Sequence, residues 1–426
     1  MNQDFLSNSL FRNIYCRLAG DSASCAGHGY GDGILASGLE WLAFGITAFV
    51  IANLFINGAL GGVLALIWGE RRILARFQNR TGPNRWGPFG SLTSAADAIK
   101  TMFKEDIVPD EADRFLFNLA PVLMVVPVLL VFAVIPIGVG TLVADINVGL
   151  LFIIAVTSMS GLAVAMAAWS SANRIAIFSG LRAVALLVSY EIPMALSLVG
   201  VLMLTGTLSM TGIIQAQDVP YIIVQPLGFL VFFLAVLAEM SRTPFDLTEA
   251  ESELAAGHLN DYSSMKFGVL FLAEWAAAIA GSAIVVTVFL SGWRGWSPVP
   301  SHIWFAAKTT MVLFLIIWIR STWPRFRIDQ VLALAWKGLF ELTMINLIVT
   351  AVLVAAMSDL EPNGATFSSG ELWLMALVNW IVFFPSVYLI GKLLAAREYA
   401  ESESEARPGI YPVATEENEA LEGVAD

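Results

Sequence analysis

Long apolar runs with brief polar punctuation dominate the chain. Nine can be drawn, at about residues 41–67, 115–137, 147–169, 182–205, 221–240, 267–290, 303–319, 339–357 and 372–394. A helix rises about 1.5 Å per residue, so each run is long enough to cross a hydrocarbon layer of about 30 Å or nearly so. Backbone N–H and C=O groups in lipid must bond within their own segment, which predicts helices. The expected fold class is an all-α integral membrane protein with about nine transmembrane helices over 41–395. Segments 1–40 and 396–426 flank the bundle.

The polar stretch 68–114 breaks this rhythm. It opens GERRILARFQNRTGPNRWGPFG, where Gly82-Pro83, Gly87-Pro88 and Gly90 predict turns. In SLTSAADAIKTMFKED, Leu92, Ala95, Ala96, Ile99, Met102 and Phe103 fall at helical spacing, with Asp97, Lys100 and Lys104 away from them. The pattern predicts an amphipathic helix over 91–104, too polar to span, lying along the membrane surface. Two roles suit it: a cap on the bundle, or a lintel over an opening through which a lipid-like molecule enters.

Composition agrees with a bilayer: 57% of the residues are hydrophobic and 14% charged, against about 25% charged in soluble domains. The net charge of −12 is uneven. From Glu398 onward nine acids face one base, Arg407, so this tail accounts for eight of the twelve excess charges and reads as a solvated arm. Arg71, Arg72, Arg76, Arg114, Arg174, Arg242, Lys266 and Arg320, with most other basic residues, fall on one side of the predicted spans. Arg12, Arg17 and Arg294 fall on the other, and Lys308 lies within a span. The positive-inside rule then places the N-terminus outside and the acidic tail in the cytoplasm. The first 40 residues do not have the layout of a cleaved signal peptide.

Cys16 and Cys25 are the only cysteines and His28, His258 and His302 the only histidines. An iron–sulfur cluster usually takes four thiolates, and no zinc spacing appears, so no metal site is expected. The two cysteines can pair if the N-terminal segment faces an oxidising compartment. Gly58, Gly61 and Gly62 suit close helix packing. No motif for a nucleotide or flavin is present.

The chemistry sits in the acids. Glu191, Glu239 and Glu274 fall within or at the ends of predicted spans. A charge at the bilayer centre costs about 2.5–3.5 kcal/mol on insertion scales, so such groups face a protein-lined or watery interior. Burial favours the neutral carboxyl and brings proton exchange toward neutral pH. The bland alternative is a protonated carboxyl bonding a neighbouring helix. Pro193, two residues after Glu191, invites a kink there. The loop 241–266 carries PFDLTEAESEL, with Asp246, Glu249, Glu251 and Glu253. Thr248 and Glu251 have capping-box spacing. Crowded acids titrate as a coupled set; a solvated acidic loop is the alternative, and the pattern of a calcium-binding EF-hand is absent.

Two segments together, GERRILARFQNRTGPNRWGPFG…AADAIKTMFKED and AEMSRTPFDLTEAESELAAGHLNDYSSMKFGVLFLAEW, resemble the signatures of the H-subunit family of NADH:quinone oxidoreductase, which forms the quinone-chamber membrane subunit of respiratory complex I. The resemblance extends over about 41–395. It implies a chain without a complete redox site of its own and no catalytic residue in the strict sense. It implies quinone as substrate, with iron–sulfur and quinone-site hydrophilic subunits and neighbouring membrane subunits as partners. Glu70, Arg71, Glu191, Glu239, Glu249, Glu251, Glu253 and Glu274 would form a proton path. Arg72, Arg76, Arg80, Arg85, Asp97 and Lys100 would belong to the chamber loop. Departures occur at Thr93-Ser94, where Gln-Pro is common, at Ala250 and His258, where Gly and an aromatic are frequent, and at Asp261, where Glu is common. A charge about 4 Å away is worth roughly 4 kcal/mol at an effective dielectric of 20, enough for quinone reduction to move protons along such a path; a conformational change of the loop 240–262 is the equal alternative. Competing readings are the equivalent subunit of a membrane-bound hydrogenase-type pump and a free-standing ion-coupled transporter.

Overall fold

The computed structural model describes residues 9–19, 40–247, 257–296, 298–357 and 367–406. It is a helical bundle. The helices are α1 (Ser9–Ala19), α2 (Glu40–Phe77), α3 (Leu92–Phe103), α4 (Arg114–Val134), α5 (Gly149–Thr157), α6 (Met159–Ser170), α7 (Arg174–Thr205), α8 (Met210–Ala216), α9 (Tyr221–Val224), α10 (Pro226–Glu239), α11 (Ser264–Phe289), α12 (Ser301–Thr322), α13 (Ile328–Ala333), α14 (Phe340–Met357) and α15 (Ser369–Ala406).

Eight helical stretches among the described residues are long and apolar enough to cross a membrane. The ninth predicted run, 221–240, is shorter: α9 and the 14-residue α10 are separated at Gln225, where Pro226 supplies no backbone donor to continue the ladder. Gln225 is fully buried and ties the break to two neighbouring helices, its Nε2 donating to Gly200 O at 3.0 Å and Thr350 Oγ1 at 3.1 Å. Asn379 Nδ2 donates to Val224 O at 2.7 Å. A break in a buried helix is tolerated where side chains satisfy the freed groups.

Several helices run past their predicted ends. α2 continues through Gly69-Glu70-Arg71-Arg72 to Phe77, because no strong breaker intervenes before Gly82-Pro83. α7 starts at Arg174, where Asn173 Oδ1 caps Ile175 N at 3.1 Å. α13 reaches α14 through a π-helical segment, Leu334–Leu339. Pro193, where a kink was expected, lies inside α7, which runs on through it. Instead the ladder lapses on a facing helix, at Ser158 between α5 and α6.

α11 is the most enclosed span and α2 the least. One face of α2 near Gly58 and Gly61 is open, and of the three glycines read as packing residues only Gly62 approaches a neighbour, Ile279 on α11. α1 packs on the start of α2 through Phe11, Tyr15 and Cys16, which are buried with Ala43 and Ile51. Cys16 is disulfide-bonded; Cys25 lies outside the described residues. α3 lies against α2 and α11. It turns its small polar side inward: Ser94 is buried, and Ser264 Oγ donates to Thr101 O and Lys104 O, at 3.3 and 2.7 Å. Leu92, Ile99, Met102 and Phe103 face outward and are exposed, as a helix lying on a membrane surface requires.

Candidate functional site: carboxylates inside the bundle

Glu239 is the last residue of α10, whose preceding turn is buried against the core. Glu191 lies on α7, one residue after the buried Tyr190. Both face the lapse between α5 and α6. The Thr157 hydroxyl lies beside the Glu239 carboxyl and the Ser158 hydroxyl beside that of Glu191, while the two hydroxyls donate to Ile154 O and Ala155 O at 3.1 and 2.9 Å. The two acids are close enough to feel each other's charge.

Glu239 borders two cavities. The larger, about 90 Å³, lies between α4, α7, α10 and α11, and its walls are mostly apolar. Its polar members are Thr157, Ser160, Glu239, Ser241, His258 and Glu274. The smaller, about 20 Å³, is lined by Thr157, Ser158, Ser160, Glu191 and Glu239. Thr157, Ser160 and Glu239 are common to both. A water needs roughly 10–15 Å³ of such space and two to four polar partners, so both cavities can hold water and link the acids.

His258 enters from the loop before α11. The tight turn Gly257–Leu259, made possible by a left-handed Gly257 (φ 60°), buries it. Neither ring nitrogen has a hydrogen-bond partner among the described residues. Burial pushes the imidazole pKa down to about 4, so the ring is neutral. Tyr262 anchors the same loop: its ring stacks on Phe117 with centroids 4.1 Å apart, and its hydroxyl meets Ser170 Oγ at 3.4 Å. Burial raises its pKa. Asp261 accepts from Asn173 Nδ2 at 3.2 Å, so the shorter acid is tied to the start of α7.

A different arrangement holds Glu70. Its buried carboxylate pairs with Arg320 of α12 and lies 3.8 Å from Arg242, which is also buried and sits over the Trp275 ring at 4.1 Å. Nearby, Arg325 donates to the buried Asp246 at 2.8 Å. These pairs tie α2, α12 and the segment after α10 together. Neither cavity wall includes Glu70.

The predicted chamber residues do not share one pocket. Arg71 and Asp97 form an exposed pair at 2.6 Å, with Lys100 at 3.7 Å from Asp97. Arg72 stacks over Phe89 and donates to its carbonyl at 3.1 Å. Arg72 and Arg76 line a shallow groove with Thr81, Gly82, Pro83 and Asn84. Arg80 donates to Gln78 at 2.7 Å, and Arg85 is exposed. Glu249, Glu251 and Glu253 lie outside the described residues. Sequence reasoning did not single out His258, Thr157, Ser158 or Arg320 as site residues. The one available signal for His258 was its departure from an aromatic. Hydroxyls in apolar helices give no signal, because their partners are remote in sequence. Among the described residues no group of three or more His, Cys, Asp or Glu side chains is placed to hold a metal ion.

Residues 50–351 match the family model described as NADH dehydrogenase. The chain is 50% identical over 318 residues to the H subunit of NADH-quinone oxidoreductase from Dehalococcoides mccartyi strain CBDB1, covering 75% of this chain and 90% of that protein. It is 45% identical over 293 residues to an H subunit of the same enzyme from Rhodopseudomonas palustris strain BisB5, covering 68% and 91%. An H subunit from Geobacter metallireducens is 45% identical over 296 residues, covering 67% and 89%.

Proposed function

This chain belongs to the H-subunit family of NADH-quinone oxidoreductase and is a multi-pass membrane component of complex I, and on that premise we propose that its interior carboxylates carry protons to and from a quinone chamber built partly by its own loop. The oxidoreductase is the assembled complex, with quinone as its substrate and other complex I subunits as its partners; this chain is one component.

The observation that carries the proposal is the position of Glu239, which borders both cavities and so connects Glu274 with Glu191. Quinone would approach beside α3 and the groove at Arg72 and Arg76, with hydrophilic subunits closing the chamber over the exposed Arg80 and Arg85. Arg71, Asp97 and Lys100 hold α3 to the end of α2 and set the width of that opening. Reduction of quinone draws protons from nearby carboxyls. Glu249, Glu251 and Glu253 belong to the same proposed path, in which Glu274, Glu239 and Glu191 lead inward. Within the described part of this path, Thr157, Ser158 and Ser160 line the smaller cavity beside the acids and supply it with hydroxyl groups. Glu70 has a clamping role, since it pairs with Arg320 and lies 3.8 Å from Arg242.

The N-terminus lies outside and the acidic tail in the cytoplasm; the basic-residue asymmetry and the disulfide at Cys16, which belongs in an oxidising compartment, support this. The relatives' names favour this reading over a hydrogenase-type pump or a solitary transporter. Replacing Glu239 by Gln in the assembled complex tests it. Quinone-linked proton uptake into inverted membrane vesicles, normalised to assembled complex, should fall by about tenfold or more. Undiminished proton uptake with normal quinone reduction would refute the path.

A further inference from the structure

We propose that His258 is a proton-relay residue of the larger cavity, exchanging protons between the loop at 257–262 and the carboxyls of Glu274 and Glu239. This rests on the carboxylate path proposed above and adds a residue of a different chemistry to it.

The argument starts from cost. His258 is 6% exposed and lines the cavity, yet neither ring nitrogen has a partner among the described residues. A buried polar group without a hydrogen bond is unfavourable, and such exceptions call for a reason. A phenyl ring would fill the same turn between Leu259 and the core without that cost. What the imidazole adds is two nitrogens, both enclosed in this conformation, on a ring that borders a space also lined by Glu239, Glu274, Ser160, Thr157 and Ser241. About 90 Å³ is room for more than one water, so contact with the carboxyls does not require the side chains to touch.

A neutral imidazole has one nitrogen that accepts and one that donates. In the step assigned here, a proton arriving from the loop side bonds to the lone pair of the unprotonated nitrogen. The N–H bond at the other nitrogen breaks, and that proton passes to a carboxylate oxygen of Glu274 or Glu239, directly or along water. The ring ends neutral in the opposite tautomer, and rotation about its side-chain bonds resets it. No charge remains in the apolar cavity after the transfer. That suits a ring whose cationic form is disfavoured by burial.

The test uses the assembled complex in inverted vesicles, comparing His258→Phe, His258→Gln and Glu239→Gln. Both His258 variants should lower protons moved per electron, with proton uptake slower by about tenfold. His258→Gln, which keeps one donor and one acceptor but cannot exchange them, should also show a larger solvent deuterium isotope effect on quinone-linked turnover. A merely structural role would leave that isotope effect unchanged. If Glu239→Gln blocks uptake while both His258 variants move protons at the parental rate and isotope effect, the relay is wrong and the carboxylate path stands. If Glu239→Gln is silent, the path fails and takes the relay with it. Should the Phe variant not assemble, the Gln variant decides on the same two readings.

Discussion

Glu70 and Glu239 are both acids toward the C-terminal end of a helix and largely enclosed by the bundle, which treats them in opposite ways. Glu70 sits between Arg320 and Arg242, and Arg242 is backed by Trp275. Glu239 meets a threonine hydroxyl and the charge of a second acid, Glu191, and borders two cavities. A carboxylate paired with guanidinium groups makes a fixed joint. A carboxyl beside a hydroxyl, a neighbouring acid and room for water can exist with or without its proton. Composition is the same in the two places; the identity of the neighbours separates a clamp from a relay.

The clamp should show the larger stability effect. Glu70→Ala leaves Arg242 buried without its anionic partner and should cost about 3–5 kcal/mol, read as a fall in thermal midpoint and in the amount of assembled complex. A loss below about 1 kcal/mol would remove the distinction. His258 gives the next effect, and it depends on pH. Its folded pKa of about 4 lies below the usual 6.5, so between those values the unfolded chain binds more protons than the folded one. Stability should therefore decline as pH falls from about 6.5 to about 4, by about 1.4 kcal/mol per unit at the steepest, and level off below. The parent minus His258→Phe difference in thermal midpoint across that range isolates it; a flat difference would place the ring in contact with water. Thr157→Val removes the hydroxyl from Glu239 at nearly constant volume and should cost about 1 kcal/mol. Its sharper signature is slower proton uptake, which the same change at the exposed Thr310 should not produce. Arg71→Ala breaks an exposed pair and should change stability by about 0.2–1 kcal/mol, the smallest of the set by thermal unfolding.

Much of the architecture was legible because its cause is local. Apolar runs near 20 residues oblige helices in lipid, and the spacing of Leu92, Ile99, Met102 and Phe103 gave α3 to within a residue at each end. Helix limits were less legible where charge is involved. GERR reads as the start of a polar loop, yet it is helix: no breaker interrupts it, and Arg320 and Arg242 pair with the Glu70 that the helix then buries. The same limit applied to the break in the run 221–240, whose Val224 and Ile223 carbonyls accept from Asn379 Nδ2 and Trp380 Nε1. Pro193 was a reasonable place to expect an irregular backbone. The lapse formed opposite it at Ser158, where hydroxyls reach the acids.

By itself the sequence determined that the chain lives in a bilayer as helices, that one side is basic, that two motifs belong to a single complex I family, and which acids are out of place. These follow from periodicity, composition and short-range spacing, all properties of neighbours along the chain. Only the tertiary structure decided which of those acids has arginines beside it, which has hydroxyls and open space, and that a histidine joins them. Proton affinity in a low-dielectric interior is set by groups within a few ångströms, and those come from helices far apart in sequence.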